Sequence, residues 1–581
     1  MFTLPLRRLL GGRQPQRLVF LILFLLCTWF VYTQRQRQQQ PPYVPLAEYA
    51  ELLAARANRP SPWSTTPAMQ WQATEADHME IARLHRQKPS KSTHPWAERQ
   101  MAVRRATQHA WAAYAKNALA TDEYNAVSRT GTNHTAQGIG YFISDVLDTL
   151  LIMGLEDEYR VARDTLVGYL TFDQRGSVSL FETTIRVLGG LLSAYHWSGE
   201  SDRELLRLAV ELGERLAKSF NTTTGIPPET AILRSDGMPA AYLSSTAEVG
   251  TLQLEFRYLA KLTGRQQFRH PVDRISHLLH VAEKPDNLAP IYMNAQTAKF
   301  VPTADIRMGS RGDSYYEYLL KQYLQTQQSE PAFLQQYGAA MEGVKKHLVA
   351  RSLRLNMTFV GELVDMPGSL GKNMQGQQGP KFKPKMDHLV CFLAGNLALG
   401  ATMGRPLSAI DARALSASAR EDLVLARQLG DTCAHMYFDA PTGLAPELVH
   451  VLHSTLPSAD SSDLLHASGD LLAYRADRHS LLRPETVESL FILWRITGEE
   501  RWREYGWRIF EAFERWARMD EGYSSLVDVM EVPPRRMDRM ETFWIAETLK
   551  YLYLLFDEEG KVPLTQYVFN TEAHPMPVFK W

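Results

Sequence analysis

Five acidic residues open apolar segments of this chain: Glu182 in FETTIRVLGG, Asp313 in DSYYEYLL, Glu447 after Pro446 in GLAPELVH, Glu485 after Pro484 in RPETVESLF, and Glu541 in METFWIAETLKY. Carboxyl groups supplied from separate helices suit hydrolysis of a glycosidic bond. One carboxylic acid protonates the leaving oxygen and one carboxylate activates water. Arginines accompany three of them: Arg186 one turn beyond Glu182, Arg311 two residues before Asp313, and Arg483 two before Glu485. Such pairs set carboxyl pKa values and grip hydroxyls. Helix-dipole complementarity gives the same placement, and Ser179-x-x-Glu182 and Ser314-x-x-Glu317 have capping-box form. The sequence contains no HExxH, GxSxG, Walker A or complete GxGxxG motif. Spacing alone stops at a plausible hydrolase.

These carboxylates line one funnel only if the helices carrying them run parallel, with their N-termini at one end. From Trp96 to Trp581 segment after segment has apolar residues at helical spacing, among them RELLRLAVELGERLAKSF, LVCFLAGNLALG, ETVESLFILWRITG and RWREYGWRIFEAFERWAR. Gly199, Gly264, Gly400 and Gly498 follow such runs as helix stops. Strand-like alternation is scarce. The fold expected is all-α, a toroid of helical hairpins without a strict repeat period. The chain has 581 residues, 45% of them apolar and 22% charged, enough for a large core. Its 63 basic and 64 acidic residues leave a formal charge of −1, which argues against a nucleic-acid binder.

The N-terminus adds a compartment. Residues 18–32, LVFLILFLLCTWFVY, carry no charge; Arg7, Arg8, Arg13 and Arg17 precede them. No small-x-small cleavage site follows, so the segment reads as an uncleaved signal anchor with a cytosolic tail, 1–17. Its length, about 22 Å at 1.5 Å per residue, falls short of an ER bilayer of about 27 Å and suits the early secretory pathway. Residues 33–94, rich in Gln, Pro, Arg and Ser, read as a lumenal stem, and 95–581 as the catalytic domain. Asn133, Asn221 and Asn356 begin glycosylation sequons. Cys27 lies in the span, which leaves Cys391 and Cys433 either as one disulfide or as two buried thiols. The polar stretch 454–468 reads as an exposed insertion.

The long segments SLFETTIRVLGGLLSAY, SRGDSYYEYLLKQY, KMDHLVCFLAG, DRHSLLRPETVESLF, METFWIAETLKYLYLLF and YVFNTEAHP closely resemble glycoside hydrolase family 47, the class I α1,2-mannosidases, and its endoplasmic reticulum type most of all. The resemblance runs from about Trp96 to the C-terminus. It implies an (α/α)7 barrel on a type II anchor in the ER membrane, a Ca2+ ion at the barrel base, and inverting hydrolysis of terminal α1,2-mannose. By the same resemblance Glu182 matches the general acid, acting through a water, Glu485 the base, and Asp313 and Glu447 the other essential carboxylates. Thr571 matches the direct calcium ligand, with Glu485, Glu547 and Glu572 holding its waters. Arg186, Glu248, His388, Arg483 and Phe543 match residues that contact the terminal mannose or brace the carboxylates, and Glu547 and Glu572 lie on the same surface. Cys391 and Cys433 fall where the family has its disulfide.

Arg311 matches a position that is arginine in ER-type enzymes, which remove one middle-branch mannose, and smaller and apolar in Golgi-type enzymes, which trim more freely. Ser144 and Val146 in GYFISDVLDTLLIMG depart from the commoner family wording. The partners expected are high-mannose N-glycans on glycoproteins and, through the anchor, the membrane; the enzyme itself is expected to be monomeric. Competing readings are a Golgi-type enzyme, a glycan-binding relative from a degradation pathway, and an unrelated helical-toroid hydrolase.

Overall fold

The structure is a computed structural model that describes residues 46–57, 71–86, 96–234, 242–366, 380–453, 463–466 and 469–581. The expected anchor at 18–32 and most of the 454–468 stretch lie outside these residues. No helix among the described residues is long and apolar enough to cross a membrane.

Burial sorts the helices into two kinds. The main ones are α1 (Trp96–Asn117), α2 (Tyr141–Ile152), α3 (Glu156–Tyr169), α4 (Gly189–Trp197), α5 (Arg203–Ala217), α6 (Gln253–Thr263), α7 (Gln266–Val281), α8 (Asp313–Gln325), α9 (Pro331–His347), α10 (Phe392–Thr402), α11 (Ala417–Phe438), α12 (Glu485–Thr497), α13 (Arg501–Trp516) and α14 (Lys550–Leu555). Nearly every residue of α2, α8, α10 and α12 is buried, polar ones included. A helix covered all round belongs inside the body. By contrast α5 buries one stripe, Leu205, Leu208, Ala209, Leu212 and Leu216, and α13 buries Trp502, Ile509, Phe510 and Phe513 at similar spacing. These are outer helices.

The inner helices succeed one another: α2 packs on α4, α4 on α6, α6 on α8, α8 on α10, α10 on α12, and α12 on α14. The turns entering α14, Trp544–Leu549, pack back on α2. That closed succession is what the expected toroid requires. Short antiparallel strands lead into the inner helices: Ser177–Ser179 precedes Glu182, Leu243–Ser245 precedes Glu248, and Lys385–Asp387 precedes His388. A hairpin of Tyr567–Phe569 and Pro575–Pro577 docks on α8 and α4, and its turn, 570–574, is almost wholly buried.

Two sequence expectations change. Gly264 and Gly498 hold left-handed helix stops at φ 69° and 68°, but Gly400 lies inside α10, which ends at Met403. A Cβ on Gly400 would fall 2.7 Å from the Tyr337 ring, so close packing explains that glycine. Nor are residues 33–94 wholly a stem. A helix at Glu75–Arg86 buries Ile81 and Leu84 and packs on α11, and the Trp71 indole donates to Gln428. A second helix, Leu46–Ala57, sends Arg56 to the carbonyls of Val281 and Ala282 at the end of α7. The packed body thus begins upstream of residue 95.

Cys391 and Cys433 form a disulfide that ties the entry of α10 to α11 across 42 residues. Closing a loop of that length removes about 4 kcal/mol of unfolded-state entropy. Replacing both cysteines with serine is expected to cost about 2–5 kcal/mol, read as a lower denaturation midpoint; an unchanged midpoint would refute a stabilising bond.

Candidate active site

Glu182 is set by local structure. Ser179 caps its turn, accepting from the Glu182 N–H at 3.2 Å. The chain then widens into a π-helix, Thr183–Leu188, where the Thr184 hydroxyl bonds back to the Leu180 carbonyl at 2.7 Å. Such widened turns recur at functional sites. This one carries Arg186, whose Nε donates to Glu182 at 2.8 Å, while Nη1 reaches Thr542 at 3.1 Å, Asp145 at 3.4 Å and Glu572. The guanidinium lies between the rings of Tyr141 and Phe543, 5.3 and 5.5 Å from their centroids.

Phe543 is shared. The Arg483 guanidinium also lies 5.6 Å from its centroid, donates through Nε to Glu447, and comes within 3.9 Å of Glu485. An aromatic ring with two guanidiniums beside it combines an apolar surface with hydroxyl-binding donors, a set that suits a sugar. Glu447 is the exception to the helix-start expectation. It precedes the strand Leu448–Val451 instead, because its own N–H and carbonyl bond to His479 and His388.

Glu485 opens α12 as expected. His388 Nδ1 lies 2.7 Å from its Oε2, and His388 Nε2 lies 2.9 Å from the Tyr437 hydroxyl and 3.1 Å from that of Thr486. With Nδ1 protonated, Nε2 has one lone pair, for which the two hydroxyls compete as donors. His388 is buried, and its Nδ1 contact holds the ring against Glu485. Burial alone would raise the Glu485 pKa, yet the His388 hydrogen bond and the Arg483 charge hold it below the ordinary value.

Asp313, the first residue of α8, has the opposite setting. Burial pushes its carboxyl up to about 7 against the Ser314 N–H bond, and the charges of Glu317, Asp387 and Glu485 add to the rise. Glu248, capped by Ser245, also rises to about 7 through burial and the charge of Glu229. One carboxyl that keeps its proton near neutrality and one that has lost it are the acid and base a hydrolase needs. Toward the outside, the half-exposed Arg311, at φ 72°, lies over Tyr292 with Glu229 at 3.8 Å. Nearby, Leu180, Phe181, Pro227, Pro228 and Glu229 help wall a small cleft beside Glu248.

Deeper residues escaped the sequence reading. Glu317 and Lys321 form a buried pair within reach of Glu488, which takes a 3.4 Å hydrogen bond from Tyr551. Glu317 is therefore no cap. Lys550, Asp148, His574 and Asp145, all fully buried, form a charged chain that ends on Arg186 and Thr542. Glu547 lies on a second π-helix, Trp544–Leu549; burial and the charge of Glu485 push its carboxyl well above the ordinary range. Thr571 and Glu572 lie on the buried hairpin turn, and Thr571 N–H bonds the Tyr318 hydroxyl at 3.3 Å. No group of three or more His, Cys, Asp or Glu among the described residues is arranged as a ready metal site. The three sequon asparagines are exposed.

Opposed carboxyls inside a ring of helices define the site of a glycosidase. Residues 106–578 match the glycosyl hydrolase family 47 model, and the chain belongs to that family. It is 44% identical over 516 residues to a mannosyl-oligosaccharide 1,2-alpha-mannosidase of Arabidopsis thaliana, covering 84% of this chain and 80% of that one. Identity to the endoplasmic reticulum mannosyl-oligosaccharide 1,2-alpha-mannosidase of Saccharomyces cerevisiae is 39% over 503 residues, 81% of this chain and 88% of the other. The solved alpha-1,2-mannosidase from Trichoderma reesei matches with a TM-score of 0.72 at 27% identity, over 83% of this chain and 99% of that one.

Arg186→Met would leave Glu182, Glu572 and Asp145 without their shared cation. Breaking a buried pair from one side costs about 3–5 kcal/mol. Equilibrium unfolding is expected to register that loss, and a variant as stable as wild type would contradict the pairing.

Proposed function

We propose that the protein removes terminal α1,2-linked mannose from high-mannose N-glycans with inversion, taking one middle-branch residue from the nine-mannose glycan. The observation that carries this reading is that Asp313 and Glu485 open two inner helices and lie near enough for the Glu485 charge to act on Asp313, which burial raises to about 7 while Glu485 is held below the ordinary range. The names of the relatives in Arabidopsis thaliana and Saccharomyces cerevisiae support the substrate class.

The terminal mannose rests on Phe543, with Arg186 and Arg483 gripping its hydroxyls. Glu485 takes a proton from the attacking water, its lone pairs aimed by His388. Asp313, raised to about 7, takes the general-acid role that the resemblance implied for Glu182 and supplies a proton toward the glycosidic oxygen, while Glu182 and Glu447, each paired with an arginine, stabilise the developing positive charge. Water between acid and base needs carboxyls roughly 6.5–9.5 Å apart, the inverting geometry. The Thr571 hydroxyl and carbonyl, with Glu485, Glu547 and Glu572 one water further out, are an all-oxygen set that fits Ca2+. The high proton affinity of Glu547 also fits, because a nearby cation would lower it. When bound, the ion would orient sugar hydroxyls and polarise the nucleophilic water.

The seven-hairpin barrel, the type II anchor at 18–32 and the ER lumen belong to the same proposal. The disulfide, the exposed sequons and the named compartment of the yeast relative support it. Monomeric action belongs with it as well.

Activity is expected to follow a bell in pH. The alkaline limb falls near 7 as Asp313 loses its proton; the acid limb falls below the ordinary carboxylate range as Glu485 gains one. Glu485→Gln should lower kcat by about a hundredfold or more and abolish the acid limb. Near-wild-type turnover in this variant would remove Glu485 as the base.

Branch choice is assigned to Arg311. Its guanidinium offers five donors in a fixed fork, and a branch that leaves buried donors unpaired loses about 1–3 kcal/mol for each. Digestion of the nine-mannose glycan should stop chiefly at one eight-mannose isomer lacking the middle-branch terminal residue. Arg311→Leu should mix the isomers while retaining hydrolysis. Rapid wild-type conversion to the five-mannose glycan would favour Golgi-type trimming, and binding without turnover would favour the glycan-binding alternative.

A further inference from the structure

The turn carrying Thr571 is held from behind by a carboxyl with no part in the mechanism above. Glu255, on α6, is fully buried. Its Oε1 accepts from the Tyr318 hydroxyl and from Asn570 Nδ2, both at 2.8 Å. The other oxygen, Oε2, is buried with no hydrogen-bond partner among the described residues. A buried carboxyl kept with one oxygen unmatched opposes stability, and such departures mark functional constraint.

What Glu255 fixes is specific. Asn570 spends its whole amide on the turn: Nδ2 also donates to the Ile185 carbonyl at 2.9 Å, and Oδ1 accepts from the N–H groups of Glu572 at 3.0 Å and His574 at 2.8 Å. Tyr318, the second group on Glu255, accepts from the Thr571 N–H. Residues 570, 571 and 572 are therefore each within two hydrogen bonds of one oxygen. The turn packs closely on α4, where a Cβ on Gly189 would lie 2.7 Å from Asn570 Nδ2, so only glycine leaves it room. Lys550 holds the Ala573 carbonyl at 2.8 Å, and Ala573 sits at φ 57°. Amid this bonding the Thr571 hydroxyl takes part in no hydrogen bond among the described residues.

We infer that Glu255 is a positioning residue for the calcium site: through Asn570 and Tyr318 it presets the turn so that the Thr571 hydroxyl and carbonyl face the ion together. The inference rests on the calcium reading proposed above.

The test titrates Ca2+ calorimetrically into the chelator-stripped full-length chain and follows the calcium-induced rise in melting temperature. Glu255→Leu is expected to weaken calcium by about 10–100-fold, the usual effect of losing a residue that orients a metal ligand. Glu255→Gln, which keeps the accepting oxygen, should stay close to wild type. Excess calcium should restore most of the kcat of Glu255→Leu, which a general packing defect would not allow. If Glu255→Leu does not melt cooperatively, Tyr318→Phe takes its place, since it removes only the oxygen that accepts from Thr571, and it should weaken calcium in the same way. Unchanged affinity in the folded Glu255→Leu or in Tyr318→Phe, beside a weakened Thr571→Ala, overturns the positioning role. Unchanged affinity in Thr571→Ala overturns the calcium reading instead.

Discussion

Carboxylates crowded inside a ring of helices repel one another, and the rest of the site answers that repulsion. Three cations on the inner wall are each shared between acids. Arg186 serves Glu182, Asp145 and Glu572; Arg483 serves Glu447 and Glu485; Lys321 serves Glu317 and Glu488. The sharing is uneven, and the unevenness is chemically useful. Glu485 has an arginine and a histidine beside it, whereas Asp313 has no ion-pair partner among the described residues. Two carboxyls of similar intrinsic acidity are thereby driven apart, so the division of labour comes from where the cations stand rather than from the acids themselves.

Polar strain and rigidity are graded from inside to outside. At the centre the Asp145–His574–Asp148–Lys550 chain has no solvent exposure, and each member depends on its neighbours. Pairs of that kind resist single changes poorly. At the rim Arg311 and Glu229 are exposed by more than two-fifths and 3.8 Å apart. A pair so exposed contributes little to stability. Selectivity placed on the rim can therefore vary without endangering the fold, while the chemistry stays locked beneath it. The left-handed backbone at Arg311 fits this division: the loop is fixed, its side chain comparatively free.

How much of this was legible depends on whether a signal was local. Glu182, Asp313 and Glu485 announced themselves because a helix start couples an acid, a dipole and an apolar run in a few residues. Glu447 carried the same wording after Pro446, but pairing with the Lys385–Asp387 strand decided its element, and that partner is distant in sequence. Glu255 and Glu488 lie in first turns, where an acid reads as a partner of the helix dipole, and Glu317 and Lys321 lie further along a helix, where a charge ordinarily faces water; only closure of the ring buries them. The π segments at 183–188 and 544–549 have no reliable sequence mark beyond the back-bonding threonine and the glycine pair that follows the first. Helix α7 carries Pro271 in its interior, which argues locally against the helix that tertiary packing enforces. Thr571 was reached by resemblance alone.

The hairpin turn at 570–574 lies at the convergence of α2, α4, α6, α8 and α14, yet it follows all of them along the chain. During synthesis on the ribosome every helix of the ring emerges before the segment that fills its centre. Until then Asp148 and Lys550 meet without His574, and Asn570 has not yet bridged the inner helices. The nascent enzyme thus passes through a stage with its walls built and its keystone missing.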